Sequence, residues 1–548
     1  MDSRATEVLK QGDKLFSDKG QIDSLWQEIA LNFYPERADF TDQRSQGEEY
    51  ADHLFSSYPS MARRELANLM AASLRPRSDK WFSIHVDNEG IDERDQERAF
   101  LEYLTDIQWR AMYDQGTGFV RATKQADHDF ASFGNAVIKY GPNQNLDGLY
   151  FRNYHLRDCA WTENAEGKVD CLHRNWAPTA RQLVEQFPKT ASSDAKNAAE
   201  KDPNKEMKCR HVVMPSRLHK LKNSAGKEFP FVSLYVERGT DTILEEVGLR
   251  YFCYVVPRWQ TIANSVYGVS MATMVLLPDS RTLQVMTRTL REAGEKYVDP
   301  PMIAISDAIR GDIALYAGGV TIAEMEYDEK TGDVLRPVTQ DRSGFPIGLE
   351  LAMALREDIR QGFFLDKIQL PEAGGDMTAY EVRRRLEEHI RASSPIFEPI
   401  EQEYNDPLCE GVFEVLRQYN AFPMDQVPES LMGADIQFQF RSPLSEMAEQ
   451  REAESFVDGM QRILMPIAEI DPAQMEQVNL SMAVRDAMRA SGWKQKWFNP
   501  VEAVEQKRAQ LAEQQQLAEA ASGAGAAAGI AETGGKALQE LGKAGVEV

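Results

Sequence analysis

The sequence predicts an α+β fold that is mainly helical. Apolar residues recur at helical spacing through most of the first third, and a β-rich tract runs from about 148 to 256. From 279 onward further helical runs are bounded by Pro and Gly signals. At 548 residues the chain exceeds a single core, and usual domain sizes suggest about three or four modules.

In the first third, Leu9, Phe16, Ile22, Leu25, Trp26 and Ile29 sit among charges at steps that suit a helix, and Pro35 closes the segment. A second helix is expected over 60–74, stopping near Pro76. A strand follows over 80–86 and a helix over 93–115. Beyond Gly116 and Gly118, the pattern predicts a helix at 119–133 and a strand at 136–140.

Strands are expected at 149–154, 169–176, 229–237 and 250–256, with Asn164-Ala165-Glu166-Gly167 as a hairpin turn. Residues 191–208 are polar and read as an exposed loop.

Two helices then bracket an insertion. The first, over 279–298, carries Leu283, Met286, Leu290, Ala293 and Tyr297, starts behind Pro278 and stops at Pro300-Pro301. The second, over 348–365, carries Leu351, Leu355, Ile359 and Phe363 on one stripe. Between them, 302–305, Gly318-Gly319 and Lys330-Thr331-Gly332 give strand and turn signals.

A Gly/Pro loop follows, made of Leu370, Pro371, Glu372, Ala373, Gly374, Gly375 and Asp376. Thr378 and Glu381 then form a capping-box pair that opens a long helix, kinked by Pro395, Pro399 and Pro407. A β segment at 435–440 ends at Ser442-Pro443. Two or three helices come next, and a Gly/Ala-rich tail begins at 522.

Charge narrows the function classes. The 86 acidic and 62 basic residues leave a net charge of −24, which argues against a protein that grips nucleic acid over its whole surface. The N-terminus has no apolar signal core, and the five scattered cysteines suggest free thiols in a reducing cytoplasm. No apolar run is long enough to span a membrane.

Candidate chemistry is weak. His155, Cys159, Cys171 and His173 lack a tight Cys-x-x-Cys pair and read as packed residues of strands. Gly535-Lys536 has neither the first glycine nor the hydroxyl residue of a phosphate loop. Gly523–Gly529 follows no strand, so it is not a dinucleotide site. Asp127-His128-Asp129 reads as a polar surface cluster. Arg383-Arg384-Arg385 has helical partners in Glu387 and Glu388. Trp493, Trp497 and Phe498 read as helix packing. No catalytic residue, cofactor or metal is expected.

Two blocks carry a family resemblance. One comprises Arg258-Trp259, Tyr267-Gly268-Val269-Ser270, Leu277-Pro278-Asp279, Leu283 and Val298-Asp299-Pro300-Pro301. The other comprises Met377 to Val382 with Arg383 to Arg385, then Pro407-Leu408, and ends at Phe440-Arg441-Ser442-Pro443-Leu444. In order and separation they resemble the portal (head-to-tail connector) family of short-tailed phages.

The resemblance implies a portal fold with wing, stem, clip and crown, assembled as a dodecameric ring at a capsid vertex of the virion. By it, 1–278 and 378–442 form the wing, with stem helices at 279–298 and 347–368 and a clip at 299–346. Residues 369–377 form a channel loop, 443–521 the crown, and 522–548 a tail. The implied partners are further copies of the chain, duplex DNA passing without sequence specificity, the terminase large subunit, head–tail adaptor and tail proteins, and major capsid with scaffold or internal core proteins; no membrane is involved.

Charged residues on the second stem helix that would line the channel are Glu350, Arg356, Glu357, Asp358, Arg360 and Lys367. The rival readings are a metal-dependent nuclease with an acidic site, or a scaffold or adaptor that forms no channel.

Overall fold

The computed structural model describes residues 3–45, 47–77, 80–87, 95–219, 228–298, 302–304, 335–337, 344–368, 399–433 and 435–440. Beyond these it describes 453, 455–470, 478–491, 493, 497–499, 503–504, 506–511 and 514. The chain divides into two compact units: Met1–Trp81 with Ile107–Phe422, and Phe82–Asp106 with Pro423–Val548.

The larger unit opens with helices Ser3–Asp18 and Gly20–Phe33, the helical segment expected at the N-terminus but broken at Lys19. The break has a polar purpose. The fully buried Lys19 ammonium donates to the carbonyls of Leu156 (2.6 Å) and Cys159 (2.9 Å) and pairs with Asp23 at 3.0 Å. A cation taken from water needs such a full set of acceptors. Helix Tyr58–Leu74 stops ahead of Pro76, as the sequence predicts.

Helix Phe119–Phe133 has the predicted bounds, and Gly118 (φ 70°) and Gly134 (φ 68°) flank it in the left-handed region that favours glycine.

A five-stranded antiparallel meander follows: Cys159–Glu163, Val169–Trp176, Cys209–Pro215, Phe231–Glu237 and Thr242–Leu249, in that spatial order. One face packs Val212, Met214, Val232, Leu234 and Val236 against Ala5, Val8 and Leu9 of the first helix. The other face packs Cys209, Tyr235 and Leu244 against Leu183, Phe187, Ala191 and Ala195. This corrects the exposed loop expected at 191–208. Helix Ser193–Lys201 lies there, and Ala191, Ala195 and Ala198 form a small apolar stripe hidden among polar residues.

The strand expected at 250–256 is reduced to Tyr254–Val255, the edge of a three-stranded sheet with Ile138–Pro142 and Leu149–Asn153.

Two long helices, Thr273–Val298 and Gly344–Gly362, form an antiparallel pair. Strands Met302–Ala304 and Leu335–Pro337 pair antiparallel between them, consistent with the strand signal at 302–305. The first helix starts six residues earlier than expected, leaving Pro278 inside it. Buried Leu276 and Leu277 hold this first turn, so packing outweighs the lost backbone hydrogen bond. The last helix of the unit widens into a π turn at Glu401–Asn405 before Asp406–Gln418, beside Pro407.

In the smaller unit, Phe82–Val86 pairs antiparallel with Ile436–Phe440. Helix Leu480–Ala490 is fixed by Arg485 and Arg489, which lie 3.0 and 3.5 Å from Asp95. Trp493 and Trp497 meet edge to face at 5.8 Å, yet both are about half exposed, less packed than the sequence suggests.

Candidate functional site

The helical pair is closely fitted. A Cβ at Gly362 would lie 2.5 Å from Leu276 Cδ2, and one at Gly348 would lie 3.0 Å from Leu290 Cδ2. Glycine at these two places lets the helices approach over four turns. Leu283, Ala352, Ile359 and Phe363 are buried along the pair. Leu351, expected on the same stripe, is 51% exposed instead.

The pair is rooted in the larger unit by its N-terminal half. Gln284 Oε1 accepts from the backbone N–H groups of Phe55 (2.8 Å) and Ser56 (2.7 Å), and its Nε2 donates to Ser56 O at 2.8 Å. Arg281 forms an ion pair with Glu28.

The first motif block supplies the joint that feeds this helix. Arg258, only 5% exposed, bridges Glu163 (2.8 Å) and Glu403 (2.9 Å) and donates to Gly167 O at 2.7 Å. Trp259 stacks on Phe130 with centroids 5.5 Å apart. Asn135 Nδ2 donates to Gly268 O (2.7 Å), and Gly268 N–H donates to Asn135 Oδ1 (2.8 Å). Ser270 Oγ donates to Ala131 O at 2.8 Å and accepts from Thr273 N–H at 3.3 Å, at the start of the long helix. These residues act as a splice, not as reactive groups.

The candidate channel residues divide by face. At about 100° per residue, Glu350 and Glu357 stack on the side of Gly344–Gly362 opposite its buried stripe. Asp358 and Arg356 fall on opposite flanks. Arg360 is engaged, 2.8 Å from Asp366. Gln361 Nε2 donates to Glu357 Oε1 at 3.3 Å. Lys367 lies on the short helix Leu365–Ile368. The loop from Leu370 to Asp376, the capping pair Thr378/Glu381 and Arg383 to Arg385 lie outside the described residues.

Asp127 and Asp129 are buried and His128 between them is half-buried, contrary to the surface reading. Arg75 pairs with Asp127 and also donates to Asn405 Oδ1 at 2.9 Å. Arg37 grips Asp129 through two hydrogen bonds of 3.0 and 2.7 Å, and Asn153 adds a third of 2.7 Å. Arg63 contacts His128 Nδ1 at 2.8 Å, and burial plus that cation lower the His128 pKa to about 4. Sequence inspection misses this network because each partner comes from a distant segment.

His155 contacts Asp39 at 2.5 Å, not the nearby cysteines. All five cysteines are buried and free, and burial pushes the Cys159 and Cys171 thiols up to about 12. Among the described residues, no group of three or more His, Cys, Asp or Glu side chains is placed to hold a metal, and no helix is long and apolar enough to cross a membrane.

The chain belongs to the family of bacteriophage head to tail connecting proteins, which it matches over residues 5–498. A probable portal protein of Bordetella phage BPP-1 is 26% identical over 528 residues, covering 94% of this chain and 92% of that protein. The portal protein of Salmonella phage epsilon15 is 21% identical over 538 residues, covering 96% and 94%. Among solved structures, the virion of a native gene transfer agent particle aligns with a TM-score of 0.32 at 10% identity, covering 80% of this chain and 95% of that one.

Proposed function

We propose that the chain is a portal subunit, one protomer of a ring-shaped channel at a capsid vertex through which DNA is packaged and ejected. On this reading the ring docks the terminase large subunit during packaging and the tail adaptor afterwards. The observation that carries it, beside the family match, is the rooted helical pair with a strand pair between its helices.

In the proposed ring of twelve, Thr273–Val298 and Gly344–Gly362 are the stem and the segment between them is the clip. Each exposed stem charge is repeated around the hole. Glu350 and Glu357 share the outward face and are the best candidates to line it. Carboxylates there would repel phosphate, and a conduit that does not hold its cargo lets it slide. The role is structural; ATP-driven work belongs to the motor partner.

Electron microscopy of the purified chain should show rings with a central hole. Their absence at every concentration sinks the proposal. For the loop, replacing Gly374 and Gly375 with valine should impair DNA packaging while rings persist, and unchanged packaging would remove the loop from the channel.

A further inference from the structure

Six Arg and Lys side chains are buried among the described residues, and five of them are answered. Lys19 pairs with Asp23, Arg75 with Asp127, Arg210 with Asp13, and Arg258 with Glu163 and Glu403, while Arg63 donates to the Phe33 carbonyl. Arg174 is the exception. At 5% exposure it forms no ion pair among the described residues, and its one hydrogen bond, from Nε, reaches the Tyr254 hydroxyl at 3.3 Å.

The surroundings of Arg174 add positive charge instead of cancelling it. Side chains of the five-stranded and three-stranded sheets meet here. Lys139 of strand Ile138–Pro142 donates to Tyr235 Oη at 2.8 Å and pairs with no carboxylate among the described residues. Arg152 stands directly opposite Lys139 in the sheet. Arg174 and Arg152 both lie over the Tyr154 ring, 4.2 and 5.4 Å from its centroid, and Lys139 lies 5.4 and 5.9 Å from the centroids of Tyr235 and Tyr254. His211 contacts Tyr254 Oη at 2.5 Å and adds no charge, because burial, then Lys139 and Arg174, hold its pKa well below the usual value. The carboxylate that senses Lys139, Glu245, is exposed and forms no ion pair with it.

Aromatic faces soften such a gathering of cations, but neutral rings do not cancel it, and a buried charge without a counter-ion is costly. The guanidinium, ammonium and phenol groups can all donate, so what completes them is a group that only accepts and carries negative charge. Water brings no charge. Arg174 and Tyr254, 5% and 3% exposed, lie too deep for a polymer backbone, whereas exposed Arg152 and half-buried Lys139 put the shallow side of the cluster at solvent. We infer that Lys139 and Arg174 hold a small free oxyanion of the phosphate class, which clips the three-stranded sheet to the five-stranded one.

The test uses the full-length chain, dialysed exhaustively against phosphate-free buffer. Sodium phosphate titrated in at fixed pH and ionic strength should raise the melting temperature saturably by a few degrees, with line broadening of the phosphorus NMR signal of the added phosphate. The rise should vanish in Arg174→Gln. Lys139→Gln, at a half-buried position where folding is less at risk, should need about tenfold more phosphate for the same rise. A rise of equal size and midpoint in wild type and Lys139→Gln is a general salt effect and overturns the site. No rise, in protein whose acid digest contains no phosphate, overturns it too. Displacement of bound phosphate by duplex DNA would reassign the cations to a nucleic-acid backbone and overturn the free ion. Each of these failures leaves the portal reading standing, since rings are not what is measured.

Discussion

Asp127 and Asp129 look like solvated helix residues in the sequence, and their burial is legible only once Arg75 and Arg37, 52 and 92 residues away, are brought in. Polar spelling says nothing about partners supplied by the fold. Removing one member leaves the other charge buried and unpaired. Asp127→Ala should therefore cost about 3–5 kcal/mol of stability in denaturant unfolding, and the double variant Asp127→Leu/Arg75→Met less than the single one. Buried histidines behave in the same residue-specific way. His173 and His211 are fully buried; burial first, then Arg210 for His173 and Lys139 for His211, lowers both, to about 3 for His173. Above the unfolded value of about 6.5 both states are neutral and stability is at its full level. As pH falls below that, the unfolded chain gains protons the folded chain refuses, and stability drops by at most about 1.4 kcal/mol per pH unit for each histidine. The melting temperature should fall between pH 7 and pH 5, and His173→Leu should flatten that slope; an unchanged slope would remove His173 from the acid response.

Among the elements, the strongly patterned ones were readable. Helix Phe119–Phe133 is delimited by Gly118 and Gly134, and strand Val169–Trp176 follows a Gly turn whose Gly167 has φ 80°. Helix Ser193–Lys201 was not, because its buried stripe is alanine and its remainder is polar. The start of Thr273–Val298 is not legible locally, because Pro278 is a strong local stop that buried Leu276 and Leu277 override. The two kinds of glycine in these elements predict different costs. At Gly134 a Cβ would run into the backbone of Val269 and Ser270, in a left-handed conformation as well. At Gly362 the obstacle is the Leu276 side chain alone, with no backbone in the way and no left-handed conformation. Gly134→Ala should destabilise by more than about 2 kcal/mol and Gly362→Ala by less, measured by thermal unfolding.

On the scale of the whole molecule, the helical pair exposes more apolar surface than its own packing needs. On Thr273–Val298, Met274, Pro278 and Val285 fall opposite the buried Leu276, Leu283 and Thr287, and Val275 lies on a flank. Val275 and Val285 are 70% and 67% exposed. On Gly344–Gly362, Ile347 and Leu351 lie on one flank and Leu349 and Met353 on the other, all exposed. A single amphipathic helix pair needs one apolar face, whereas a closed ring needs two unlike ones on each copy. The candidate loop and charges are legible in the sequence because they are distinctive residue types. These flanks are not, since apolar spacing alone does not say which residues the chain buries within itself. Burying a valine or leucine side chain at each repeat of the interface is worth about 1.5–3 kcal/mol, and a carboxylate in its place removes that gain and adds the cost of desolvating a charge. Val285→Glu and Leu351→Glu should therefore abolish rings in electron micrographs while each monomer melts within a few degrees of wild type, because both side chains are already exposed in the single chain. Rings surviving both substitutions would place the subunit contact elsewhere on the chain.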